Sequence, residues 1–126
     1  MKTLLESRSL EFGVNVIKLL QNNPTLDFTQ RSKEQLSSSA TSIGANIAEA
    51  RSGQSRLDFI SKMEIALKEA RETDYWLSVL IKLLPKPTEA QSKLLKECNE
   101  ITAMLAASVK TAKANGMKKT EMRVPR

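Results

Sequence analysis

The chain contains no histidine, and that single absence removes much of enzyme chemistry from consideration. Without an imidazole there is no Ser-His-Asp triad, no histidine metal ligand and no histidine acid–base step. Ferritin-like di-iron bundles use Glu-x-x-His motifs, so carboxylates such as Glu49, Glu69 and Glu72 lack the partners for that chemistry. The one cysteine, Cys98, has no intrachain disulfide partner, which suggests a reducing compartment. It falls on an apolar stripe and reads as a buried, inert thiol. Aromatics make up only 4% of the chain, and glycine and proline number four each, a mix that favours helices over strands. No apolar run approaches the ~18 residues that span a bilayer. Charge interrupts "MKTLLESRSLEFG" too early for a signal peptide. The expectation is a cytoplasmic protein with no membrane association, no cofactor, no metal and no enzymatic activity.

What is present is leucine, alanine, lysine, glutamate and serine in a 126-residue chain, one domain by length. The net charge of +6 and the pI of about 9.6 suit an acidic partner: nucleic acid, an anionic membrane or an acidic protein. Solubility alone explains such a balance equally well.

Hydrophobic spacing divides the chain into four helices. The first runs from about Leu4 to Gln21, with Leu10, Val14, Ile17 and Leu20 on one face and Phe12, Val16 and Leu19 broadening it. "NNPTLD" breaks it, because Pro24 cannot continue a helix. The second spans about residues 29–51, with Thr29 as N-cap and Gly53 in a left-handed position after its end. The third spans about 56–84, capped by Ser55. Its seam is Ile60, Met63, Leu67, Ala70, Leu77, Ile81 and Leu84, interrupted by Asp74. The fourth follows Thr88 and runs over about 88–113, with Leu94, Cys98, Ile101, Leu105, Ser108 and Ala112 inward. Residues 1–114 thus form an all-α, antiparallel up-down four-helix bundle, and 115–126 a flexible basic tail.

Two features exceed what a monomeric bundle needs. A second stripe on the third helix, Ile65, Glu69, Glu72, Trp76, Val79 and Leu83, reads either as a subunit interface or as cover for a neighbouring helix edge. The second helix, "SSSATSIGANIAEA", accepts a central glycine and lines Ser42, Asn46 and Glu49 beside its apolar stripe. Small residues there let another backbone approach closely, which offsets the ~1 kcal/mol that a mid-helix glycine costs. Ser42, Asn46 and Glu49 then read as a structural polar network toward a neighbouring helix or subunit, with a functional pocket as the alternative.

At these residues the sequence resembles the "four helix bundle protein" family, named also for open reading frames in intervening sequences of bacterial 23S rRNA genes. Ser42, Ile43, Asn46, Ile47, Ala48 and Glu49 match its Ser-Ile-x-x-Asn-Ile-Ala-Glu signature. "SRLDFISKMEIALKEARETDYWLSVL" is similar to its second block at Ser55, Asp58, Phe59, Lys62, Ala66, Lys68, Glu69, Glu72, Tyr75 and Trp76. Gly44 stands where many members have proline, and Ala50 where they have glycine. The resemblance runs from about Ser7 to Val109. It implies a ring-shaped homo-oligomer, a pentamer, without enzymatic activity. It extends distantly to accessory proteins of diversity-generating retroelements, whose basic pentamers bind a reverse transcriptase and nucleic acid.

The basic residues give that role candidate positions. Lys68, Arg71 and Lys82 share a side of the third helix with Tyr75, which offers a ring for base stacking. Arg51 and Arg56 flank the turn before it, and Lys113, Lys118, Lys119, Arg123 and Arg126 make the C-terminal end basic. The expectation is a non-enzymatic oligomeric scaffold that binds RNA or DNA through a basic surface, as an accessory to a reverse transcriptase. The alternative is a purely protein-binding assembly module.

Overall fold

The computed structural model describes residues 2–24 and 28–123, the side chains of 117–123 excepted. Four helices and no strands are present among them: α1 (Leu4–Asn22), α2 (Gln30–Arg51), α3 (Arg56–Leu83) and α4 (Glu89–Arg123). Each start has a side-chain cap. The hydroxyls of Thr3, Thr29 and Ser55 accept from the backbone N–H of Glu6, Ser32 and Asp58. At α4, Thr88 N–H donates to Gln91 Oε1 at 2.7 Å and Gln91 N–H returns to Thr88 Oγ1 at 3.2 Å, a reciprocal capping box. The helices pack in a closed square, α1 on α2, α2 on α3, α3 on α4 and α4 on α1, with no diagonal contact among the described residues. Rising positions on α1 meet falling ones on α2, Glu6 with Arg51, Ser9 with Gly44 and Gly13 with Ala40, so these neighbours run antiparallel.

The end of α2 differs from the sequence expectation. No described glycine has positive φ, and Ser52 closes the helix at φ −91° and ψ 4°. Gly53 is there for space: a Cβ would sit 3.1 Å from Ala50 O and 3.4 Å from Asp58 Cβ.

The core face of α1 is also rotated from the expected one. Phe12 and Val16 are buried, whereas Leu10 is 52% and Val14 37% exposed. The cause is the α1–α2 crossing. Ser9 and Gly13 face Gly44 and Ala40, and a Cβ on Gly44 would lie 3.5 Å from Ser9 C. The seam of α3 likewise passes through Ala66, Thr73 and Leu80, leaving Asp74, Ile81 and Leu84 at its margin. Thr73 is tolerated in the core because its hydroxyl meets that of Ser39 at 2.9 Å and the carbonyl of Glu69 at 2.7 Å. On α4 the stripe follows Leu94, Cys98, Ile101 and Leu105 as expected, then turns to Val109.

One clamp ties α1 to α4. Arg8 Nε donates to Glu97 Oε2 at 3.0 Å, its Nη2 bridges Glu97 and Glu100, and Nη1 reaches Met104 Sδ. These carboxylates raise the pKa of the guanidinium further, so the clamp keeps its cation.

The crossing yields a test. The 3.5 Å spacing is ordinary contact, so a methyl group fits at Gly44. Gly44→Ala is expected to stabilise the fold by up to ~1 kcal/mol. Ser9 Oγ is buried with no hydrogen-bond partner among the described residues, and Ser9→Ala is expected to raise stability by ~1 kcal/mol. Thermal unfolding checks both, and a fall in Tm for either substitution contradicts the packing described.

Candidate nucleic-acid interface

The antiparallel order brings the end of α2, the start of α3 and the C-terminal half of α4 to one end of the bundle. Arg51, Arg56 and Lys113 lie toward that end, each on a different helix. The Arg51 guanidinium lies 3.3 Å from the buried Glu6 Oε2, an ion pair between α2 and α1. Lys113 Nζ lies 3.3 Å from Glu64 Oε2, and Lys62 reaches Glu49 at 3.2 Å. These pairs hold the end together while leaving Arg51 and Lys113 exposed. Arg56 is half-buried and packs along α4, where a Cβ on Gly116 would touch its Cδ at 3.2 Å.

The expected tail is not separate from the fold at its start. The backbone of α4 stays helical to Arg123, past the expected end near Lys113. At 1.5 Å per residue, the turns after Gly116 extend the helix ~10 Å beyond its contact with Arg56. Lys118, Lys119 and Arg123 lie on this stretch, their side chains outside the described set, and Arg126 lies outside the described residues.

Lys68, Arg71, Tyr75 and Lys82 form a second group, exposed along α3. Their spacing keeps them on one side of the helix. Tyr75 is 60% exposed and stands edge-on to Trp76 at 5.1 Å. The structure therefore makes two basic regions of the sequence-predicted set, one at the bundle end and one along α3.

The second stripe of α3 divides too. Trp76 and Val79 pack against the core, and Trp76 meets the buried Phe28 edge-on at 6.5 Å. They cover a neighbouring edge. Ile65 and Leu83 remain 38% and 50% exposed, Glu72 is exposed and Glu69 half-buried. Burial and the neighbouring Glu72 raise the pKa of Glu69, with Lys68 opposing.

Ser42, Asn46 and Glu49 do not form one network. Ser42 Oγ donates to Ser38 O at 2.7 Å and Asn46 Nδ2 to Ser42 O at 2.8 Å, both within α2. Of the three, Glu49 reaches another helix, through Lys62. The buried interhelical polar pair is Ser39 with Thr73, which the apolar spacing of α2 and α3 did not disclose.

Cys98 is buried, and its thiol donates to Ala70 O at 3.4 Å. Burial, with Asp74 adding, pushes its pKa up to about 12, so it is a neutral thiol at physiological pH. Among the described residues no group of three or more His, Cys, Asp or Glu side chains gathers to hold a metal. Among the same residues, none of the helices is long and apolar enough to cross a membrane.

The sequence model of the family described as 23S rRNA-intervening sequence protein matches residues 3–107. Among solved structures, the chain is similar to a protein of unknown function from the S23 ribosomal protein family of Bacteroides thetaiotaomicron. The two are 39% identical with a TM-score of 0.77, over 85% of this chain and 99% of the other. No curated protein matches.

Glu69 gives a pH-dependent test. Its folded pKa is raised, so folding favours the protonated acid, and the ionised form costs stability at neutral pH. That cost fades as the pH falls through the raised value and is gone below the ordinary 4.5. Glu69→Gln is expected to raise Tm at pH 7 and to match the parent near pH 4. A gap that persists or widens in acid would contradict the assignment.

Proposed function

This chain belongs to the 23S rRNA-intervening sequence protein family, and we propose that it acts there as a non-enzymatic, oligomeric scaffold that binds nucleic acid. The observation that carries the reading is the bundle end where three helices place Arg51, Arg56 and Lys113 and the backbone of α4 continues through Lys118, Lys119 and Arg123. Arg51, in the last turn of α2, complements the helix dipole, and lysine and arginine side chains offer phosphate contacts without base readout. Binding of this kind follows backbone charge, so it accepts RNA or duplex DNA and weakens steeply with salt. The exposed Lys68, Arg71, Tyr75 and Lys82 supply a second strip along α3.

A ring-shaped homo-oligomer, a pentamer on the family resemblance, multiplies these contacts. Each patch is modest alone, and avidity raises the affinity of the ring without any new contact. Its partner in the cell is then a nucleoprotein enzyme such as a reverse transcriptase, for which the ring is an accessory subunit.

Fluorescence anisotropy of nuclease-treated protein with a structured RNA and a duplex DNA, across a salt series, tests the proposal. The expected result is binding near 50 mM salt that weakens by ten-fold or more at 200 mM. Combined Lys118→Glu, Lys119→Glu and Arg123→Glu should flatten the slope of log affinity against log salt. The change is roughly one unit for each phosphate that the variant no longer neutralises. Absence of binding to both ligands at low salt overturns the reading.

A further inference from the structure

We infer that α3 carries a site for single-stranded nucleic acid, with the ring of Tyr75 stacking on an unpaired base and Lys68, Arg71 and Lys82 taking the phosphates beside it. The inference rests on the nucleic-acid reading above and names the form of ligand that the α3 strip accepts.

Tyr75 is the one tyrosine of the chain, and it lies on the outer face of α3, away from the buried Leu67, Ala70, Thr73, Leu77 and Leu80. Its neighbours one turn away are Arg71, Glu72 and Ser78, all exposed, and the half-buried Val79. An aromatic anchor for a protein partner is surrounded by contacts that exclude water. This ring is set among charged and polar groups instead. Lys68 lies two turns before it and Lys82 two turns after, on the same side of the helix. From Lys68 to Lys82 the strip spans ~21 Å at 1.5 Å per residue. A line of cations interrupted by an exposed ring is how single strands are held, backbone on charge and base on the aromatic face.

The charge on this face is available. None of Lys68, Arg71 and Lys82 forms a salt bridge among the described residues. Glu64, one turn before Lys68, is paired with Lys113 at 3.3 Å. With about 100° between successive residues, Arg71 and Lys82 fall to one side of Tyr75 and Glu72 to the other. A backbone that follows the Arg71–Lys82 side keeps its phosphates away from that carboxylate. Asp74 lies farther round, half-buried at the margin of the core.

The ring selects unpaired bases. In a duplex the flat face of each base is covered by its neighbours, so a ring on a helix surface gains stacking only from a base that is out of the stack. Duplex meets the strip through phosphates alone, and Tyr75 contributes nothing to its affinity.

Trp76 supplies the reporter. It is the one tryptophan of the chain and stands edge-on to Tyr75, so a base on the ring alters its emission. The full chain is titrated with oligothymidylate and with a duplex, followed by anisotropy of the labelled nucleic acid and by Trp76 fluorescence. Oligothymidylate is expected to change the Trp76 emission more than duplex does. Tyr75→Ala, folded by circular dichroism, should weaken oligothymidylate binding about ten-fold and leave duplex affinity unchanged. Tyr75→Phe should keep the wild-type affinity, whereas Tyr75→Leu, which has bulk but no aromatic face, should behave as Tyr75→Ala. An equal loss for both ligands, or no loss for either, overturns the stacking site and leaves the nucleic-acid reading standing. A wild type that binds neither ligand at low salt overturns that reading and the inference with it.

Discussion

The close crossing of α1 and α2 governs the rest of the molecule. Ser9 and Gly13 of α1 meet Ala40 and Gly44 of α2 with backbone in reach of a Cβ. Once that contact is made, the rotation of α1 is fixed. Phe12 and Val16 turn into the core, and Leu10 and Val14 turn out of it. The fourth helix then meets α1 less closely along its length, and the Arg8 clamp to Glu97 and Glu100 supplies part of what apolar packing does elsewhere.

That rotation marks the boundary of what the sequence discloses. Helix starts were readable because Thr29, Ser55 and Thr88 are strong caps with a local mechanism. The stripe of α4 was readable as far as Leu105 because its partners are apolar and evenly spaced. The face of α1 was not, because period alone ranks Leu10 and Val14 above Ser9 and Gly13. Close backbone packing reverses that ranking, and only the partner helix reveals it. A similar reversal hid Thr73, whose neighbour Asp74 breaks the seam on paper while the core passes one residue earlier.

The candidate site was legible in composition and less so in arrangement. The basic residues are where the charge count directs attention, yet the fold sorts them into an end and a strip. The hydroxyls and amide of α2 were legible as unusual but not as self-satisfied. A side chain that donates to the carbonyl one turn back leaves no trace in the sequence that distinguishes it from one that reaches a neighbour. Trp76 posed the same ambiguity, and Phe28, lying just before α2, resolves it by meeting the indole ring from the loop.

The continuous α4 has a consequence of its own. Nucleation is the costly step in forming a helix, and the turns of α4 packed in the bundle have already overcome it. The stretch beyond Gly116 therefore extends a helix that is already nucleated, and each of its residues adds only the smaller cost of propagation.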